Sequence, residues 1–273
     1  MSTEMTQTQS SPTTPVVDWE PQMPPTDLIF DDGEPLESNR HRIAMNLLIQ
    51  LVHQALAHRE DYFVGGNMFI YYSRTQARNR DFRGPDFFVV LNVDGTGSRQ
   101  GWVVWDEEGR YPDVIIELMS ASTANTDIGT KKDIYEGTFR TPDYFVFDPF
   151  NPNSLQGWRL DANLRYQPLV PNESGWLWCE TLDLWLGIWQ GTISRETAPW
   201  LRFYDPEGNL VLLPEEAEHQ RAESERQGAE SEHQRAETEH QRAETEHQRA
   251  ETERQRAERL AARLRELGED PDN

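Results

Sequence analysis

The sequence predicts an α/β domain built on a mixed central sheet flanked by helices, with extra β-hairpins and a long C-terminal helical heptad-repeat tail. Three observations carry this. Asp113-Val114-Ile115-Ile116-Glu117-Leu118-Met119 is continuously apolar apart from its ends, which suits a strand buried on both faces. A helical segment and then Tyr144-Phe145-Val146-Phe147 follow at the spacing of a strand–helix–strand unit, for which a right-handed crossover is expected. Beyond these, alanine recurs every seven residues from Ala222 to Ala257, in a stretch whose composition strongly favours helix.

Taken in order, the chain opens on Ser, Thr, Gln and Pro from Met1 to Pro15, with further prolines at 21, 24 and 25. It has neither the basic start nor the apolar centre of a secretory signal, and residues 1–30 are expected to form a disordered lead. A body over 31–214 and a charged helical tail over 215–273 complete the expected organisation. The body begins with Ile43, Leu47, Leu48, Leu51, Val52, Ala55 and Leu56, spaced by three and four residues. They predict an amphipathic helix from about Ser38 to His58, capped by Ser38 or Asn39. Strands are predicted at Tyr62–Val64, Met68–Tyr72, Asp86–Leu91, Trp102–Trp105 and Asp113–Met119. A helix over about Asp127–Thr138 and a strand at Tyr144–Phe147 follow. Leu155–Leu160 reads as an added strand. Trp200–Tyr204 and Leu210–Leu213, joined by Asp205-Pro206-Glu207-Gly208-Asn209, read as a hairpin.

With alanine at the a position, the tail repeat puts Glu225, Glu232, Glu239, Glu246 and Glu253 at d, a weak seam. Leucines enter that register only at 260, 264 and 267. A long solvated helix is expected, with a leucine end able to pair chains into a homo-oligomer. Sharing no periodicity with the body, the tail is expected to be dispensable for its folding. His233, His240 and His247 lie seven residues apart, too far to ligate one metal together.

The 273 residues carry a net charge of −22, of which the tail from Glu215 holds −8 and the preceding residues −14. Such acidity argues against general affinity for nucleic acid, which normally uses a basic surface. No apolar run is long enough to span a bilayer, so no membrane partner is expected. The one cysteine, Cys179, excludes an internal disulfide and a cysteine-based zinc site and fits a reducing cytoplasm.

The candidate chemistry lies in carboxylates at strand ends. Glu117 sits at the end of a buried run, where a carboxylate is unfavourable without a partner or a metal. Asp86 opens another apolar run. Carboxylates on neighbouring strands can hold Mg²⁺ or Mn²⁺, and water on such an ion can attack a phosphodiester. Asp113 is four residues from Glu117 on the same strand, roughly 13 Å at ~3.3 Å per residue, so the two cannot grip one ion. Asp113 therefore reads first as a turn residue.

Of the 26 Lys and Arg residues only two are lysine, Lys131 and Lys132, both on the helix after the Glu117 strand. Lysine offers a compact point charge that arginine does not reproduce. Asp127, Lys131 and Tyr135 lie at i, i+4 and i+8 on one helix face, while Lys132 is turned about 100° away from Lys131. Lys131 is assigned to the site and Lys132 to solvent.

Tyr111-Pro112-Asp113-Val114-Ile115-Ile116-Glu117-Leu118-Met119-Ser120, then Ser122-Thr123, Asp127, Lys131, Tyr135 and Thr141-Pro142-Asp143-Tyr144-Phe145-Val146-Phe147-Asp148-Pro149, closely resembles the Uma2 family. This is a restriction-endonuclease-like family of cyanobacteria and other bacteria. Arg83-Gly84-Pro85-Asp86 resembles its Arg-x-Pro-Asp element, and His41 is also similar. The resemblance covers about Asp31 to Pro214 and excludes the tail. It implies a PD-(D/E)XK core, Mg²⁺- or Mn²⁺-dependent endonuclease activity on DNA, metal carboxylates at Asp86 and Glu117, and a catalytic Lys131. The wider superfamily usually carries its lysine two positions after the glutamate, where this chain has Met119. Here the lysine reaches in from the helix. Glu37 and Asp113 remain secondary candidates. The alternative is a non-catalytic binding or assembly protein that keeps the nuclease fold and oligomerises through the tail.

Overall fold

The computed structural model describes residues 25–30, 38–79, 84–120 and 122–266. Helix α1 (Asn39–Ala55) buries Ile43, Ala44, Leu47, Leu48, Leu51 and Val52 along one face. Ser38 caps it, its side chain accepting from the His41 amide and so satisfying one of the donors a helix start leaves free. The strands are β1 (Tyr62–Gly65), β2 (Ile70–Tyr71), β3 (Phe87–Leu91), β4 (Trp102–Val103), β5 (Val114–Leu118), β6 (Asp143–Asp148), β7 (Asn151–Leu160), β8 (Tyr166–Pro168), β9 (Leu177–Cys179), β10 (Leu184–Ile193) and β11 (Glu196–Tyr204). A short helix α2 (Arg74–Arg78) follows β2.

Six strands form the central sheet in the order β1-β3-β5-β6-β7-β8. Within this sheet β5 and β6 are the one parallel pair; their neighbours on both sides are antiparallel. The strand–helix–strand unit expected around Glu117 is this parallel pair. β9, β10 and β11 make a separate antiparallel sheet, and β2 pairs with β4.

The two-residue alternation of strands divides the core. Phe87, Val89, Val114, Ile116, Phe145 and Phe147 face one side, where they pack with α1 and the β9–β11 sheet. Phe88, Val90, Ile115, Tyr144 and Val146 face the other, against Tyr135 and Phe139. By the same parity Asp86 and Glu117 point to the second side, toward the helix that links β5 to β6.

That helix differs from the expected one. It begins at Ala124 and alternates between α-helical segments (Ala124–Thr126, Lys132–Ile134) and π-helical ones (Asp127–Lys131, Tyr135–Phe139). Such i→i+5 stretches are rare and recur at functional sites.

The hairpin expected from Trp200 to Leu213 is corrected. Residues 210–213 form no strand, and Leu210 makes a single bridge to Tyr204. The partner of β11 is β10, in register from Trp185–Tyr204 to Ile193–Glu196. Ser194 and Arg195 turn the chain with positive φ, a type of turn whose twist suits a two-residue hairpin. Of the lead, residues 1–24 lie outside the described residues. Phe30 packs edge-on to Tyr71, whose hydroxyl donates to the Ile29 carbonyl.

The tail is helical from Pro214 to Glu266 and exposed from Glu218 to Leu260. Its first turn, however, is tied to the body. Arg202 is fully buried on β11 and makes two bonds to Glu216, at 2.7 and 3.1 Å. Glu216 also accepts from the Leu213 amide. The first turn of the tail is thereby joined to the body. Leu260 is exposed, and the side chains of Leu264 and Leu267 lie outside the described residues. No helix among the described residues is long and apolar enough to cross a membrane.

Candidate active site

Strand register brings the two principal carboxylates together. The β3–β5 ladder pairs Phe87 with Ile116. One step further along this antiparallel pair, Asp86 stands opposite Glu117. Side chains directly opposite one another lie about 4.5–5.5 Å apart at Cβ, close enough to act jointly. Asp86 caps the ladder, its carboxylate accepting from the Leu118 amide at 2.8 Å. Its own amide approaches Glu117 Oε2 at 3.4 Å.

Glu117 has no solvent exposure. Its Oε1 accepts from the Tyr135 hydroxyl at 2.7 Å. Its Oε2 lies 3.1 Å from Lys131 Nζ. The same ammonium lies 2.8 Å from Asp127 Oδ1. Asp127 is as deeply buried, and its backbone carbonyl accepts from the Tyr144 hydroxyl. Lys131 and Tyr135 thus reach Glu117 from the face the sequence assigned them. The segment between them, Lys132–Ile134, is α-helical, so the i, i+4 spacing holds there.

Two carboxylates, Glu117 and Asp127, therefore share one ammonium in a desolvated pocket, with Asp86 beside Glu117. Burial drives Glu117 from an ordinary 4.5 up to about 8; Lys131 and the Tyr135 hydroxyl oppose the rise, while Asp86 and Asp127 add to it. Burial also raises Asp86, against the pull of Lys131. For Lys131 burial acts downward, but Glu117 and Asp127 outweigh it and lift the ammonium above its usual value. Lys131 stays charged. Burial raises the Tyr135 and Tyr144 hydroxyls well above the usual phenol value, with Glu117 adding to both.

The donor set suits a hard divalent cation. Three carboxyl groups stand against one ammonium, and buried Asp127 Oδ2 has no hydrogen-bond donor among the described residues. No three His, Cys, Asp or Glu residues of the described chain converge to enclose an ion by themselves. Mg²⁺ is commonly held by one or two carboxylates and completes its shell with water and substrate oxygens, so a pair such as Asp86 and Glu117 fits it.

The remaining sequence candidates are placed elsewhere. Asp113 accepts from the Leu91 amide at 2.7 Å and from Arg110 at 3.3 Å, a strand-end brace. Glu37 lies outside the described residues. Lys132, assigned to solvent, is half-buried with its ammonium 4.6 Å from the centre of the Trp158 ring, a cation–π contact. His41 lies at the end of β5, its Nε2 donating to the Met119 carbonyl and its Nδ1 facing the Ser38 hydroxyl. Asp127 is the site residue that sequence reasoning left without a role. Its signal was present: an acid four residues before the lysine, on the face that also carries Tyr135.

A family model described as "Putative restriction endonuclease", Uma2, matches residues 17–194. The chain belongs to the Uma2 family. The Uma2 match contains Asp86, Glu117, Asp127, Lys131 and Tyr135, runs to the end of β10, and leaves out β11 and the C-terminal helix. Among solved structures, the chain is similar to one described as a putative nuclease belonging to DUF820 from Anabaena variabilis ATCC 29413. Identity is 13%, coverage is 59% of this chain and 86% of that one, and the TM-score is 0.39. Comparison with curated proteins finds no match.

Proposed function

We propose that this Uma2 chain is a divalent-metal-dependent nuclease that hydrolyses phosphodiester bonds in DNA on a PD-(D/E)XK-type core. Asp86 and Glu117 act as metal carboxylates and Lys131 as the catalytic lysine. The observation that carries the reading is the meeting of these three residues, from β3, β5 and the linking helix. Asp86 stands opposite Glu117, and Lys131 Nζ is 3.1 Å from the Glu117 carboxylate. The family description points to the same chemistry.

The chain's own residues have separable roles. Tyr135 orients Glu117 and leaves Oε2 as the oxygen facing Lys131. The Leu118 amide orients Asp86. Lys131 presents a positive charge beside Glu117, suited to a scissile phosphate oxygen and to the charge that develops on it. A Mg²⁺ or Mn²⁺ ion supplies Lewis-acid neutralisation of the phosphate and a water activated for attack.

The test is cleavage of supercoiled and linear DNA by the full chain with Mg²⁺ or Mn²⁺, against Glu117→Gln. Wild type is expected to cut. The variant should lose on the order of 10²-fold or more, the scale seen when one electrostatic stabiliser is removed. A folded wild type that cuts no DNA with either ion would sink the reading.

A second reading has its own support. The net charge of −22 opposes phosphate binding, and the C-terminal helix is exposed from Glu218 to Leu260. A non-catalytic protein that keeps the fold and assembles through this helix fits both facts.

A further inference from the structure

We propose that Asp127 is a positioning residue of the site, the alternative counter-ion that holds Lys131 aside when a divalent cation takes the Glu117 carboxylate. This rests on the metal-site reading above and adds a role for a residue outside the assigned ligands.

The competition follows from which oxygens are already engaged. Glu117 Oε1 is held by the Tyr135 hydroxyl at 2.7 Å. Its other oxygen, Oε2, is the one facing Lys131, at 3.1 Å. A cation bound there must displace the ammonium. Without a second partner, a displaced lysine charge would stay half-buried and unpaired, an unfavourable state. Asp127 prevents this. It already holds Lys131 more closely, at 2.8 Å through Oδ1, and its buried Oδ2 has no hydrogen-bond donor among the described residues.

A small movement of Nζ from Glu117 toward Asp127 would give that oxygen its partner. Asp127 itself is fixed: it is 1% exposed, sits in a π-helical turn one helix step before Lys131, and has its carbonyl bonded to Tyr144. Lysine and cation then exchange places on Glu117 with both charges paired throughout.

The proposal separates Asp127 as a holder of Lys131 from Asp127 as a metal ligand. Mn²⁺ binding is measured by calorimetry on the full chain as wild type, Asp127→Asn, Lys131→Met and the double variant. Asp127→Asn should weaken binding about tenfold or more, because Lys131 is left with Glu117 as its only carboxylate partner of the two. Lys131→Met should bind at least as tightly as wild type. The double variant should match Lys131→Met, the loss disappearing once no lysine competes. A loss of equal size in the Lys131→Met background would make Asp127 a ligand and overturn the proposal. So would an Asp127→Asn affinity equal to wild type. A wild type that binds no Mn²⁺ would instead overturn the metal reading, and this proposal with it.

If removal of Lys131 prevents folding, the two-lysine composition offers a second measurement. Selective ¹⁵N labelling of lysine gives side-chain signals from Lys131 and Lys132 only. With Mg²⁺, the Lys131 signal of wild type should shift yet stay protected from exchange with water. In Asp127→Asn it should lose that protection, and Asp127→Glu should restore it. A Lys131 signal that Mg²⁺ does not move, or equal protection in wild type and Asp127→Asn, would overturn the proposal.

Discussion

At the scale of single residues, the chemistry of the site rests on how completely Glu117 is withdrawn from water. A carboxyl whose value rises from 4.5 to about 8 holds, in the folded state, a proton that the unfolded chain releases over that interval. Stability without added metal should therefore be greatest below about pH 4.5 as far as this group is concerned. It should fall as pH rises through the interval and level off above about 8. Glu117→Gln should flatten this slope and raise the melting temperature at alkaline pH. Thermal melts in chelator across the interval would show it; an unchanged slope in the variant would assign the pH dependence to other groups. Because the cation needs the ionised carboxylate, metal affinity should run the opposite way and increase with pH.

The lysines provide a second residue-scale prediction. Lys131→Arg should lose cleavage as fully as Lys131→Ala, since a forked guanidinium does not reproduce a point charge between two buried carboxylates. Lys132→Ala should retain most activity, its contact being the Trp158 ring. Steady-state cleavage rates of the three variants decide this. An inactive Lys132→Ala beside an active Lys131→Ala would reverse the assignment.

At the scale of elements, the sheet and its linking helix were legible to different depths. Unbroken apolar character announced β5, but only the fold shows that Glu117, with the parity of Ile115, takes the face opposite α1. The α-helical spacing of Asp127, Lys131 and Tyr135 found the right face of the next helix, although two of its turns are π-helical. Each of those two turns contains a glycine, Gly129 or Gly137, a poor helix former that the spacing of the apolar and charged residues did not weigh. The hairpin at 200–213 failed for a different reason. Apolar residues on both sides of a turn satisfied the local pattern, and Leu210 and Val211 do bond to Tyr204 and Phe203 on the free edge of β11, but the contact stops there, while the long ladder of β11 is made with β10 on its other edge.

The start of the C-terminal helix yields an element-scale prediction. A chain ending after Pro214 removes Glu216 and leaves the fully buried Arg202 guanidinium without its carboxylate. Breaking a buried pair from one side should cost on the order of 3 kcal/mol. A chain ending after Gln220 keeps the pair and should melt like the full chain. Equal melting temperatures for the two truncations would show that Val211, which also accepts from Arg202, suffices.

At the scale of the whole molecule, an acidic body carries a helix about 80 Å long at 1.5 Å per residue. Its alanine stripe alternates with glutamate, so pairing along most of its length would be weak. We propose that any self-association draws on the leucine end. Sedimentation velocity should then show the full chain associating more than a chain ending after Gln220, with cleavage per site unchanged. Identical sedimentation behaviour, corrected for mass, would leave the helix without a role in assembly.

The sequence by itself determined the α/β class, the strand–helix–strand unit that begins with the Glu117 strand, the capped first helix and the helical tail. These follow from periodicity, capping and composition, properties that residues express through near neighbours. It also singled out Asp86, Glu117 and Lys131 among many acids and bases. Tertiary structure alone decided that Asp86 stands opposite Glu117, because register is a sum over a whole ladder. It alone decided that Asp127 is buried beside Lys131, and that Arg202 ties the tail to the body. Desolvation of a charged group depends on everything packed around it, most of it far away in the chain, so no local pattern could reveal that Glu117 and Asp127 share one ammonium out of water.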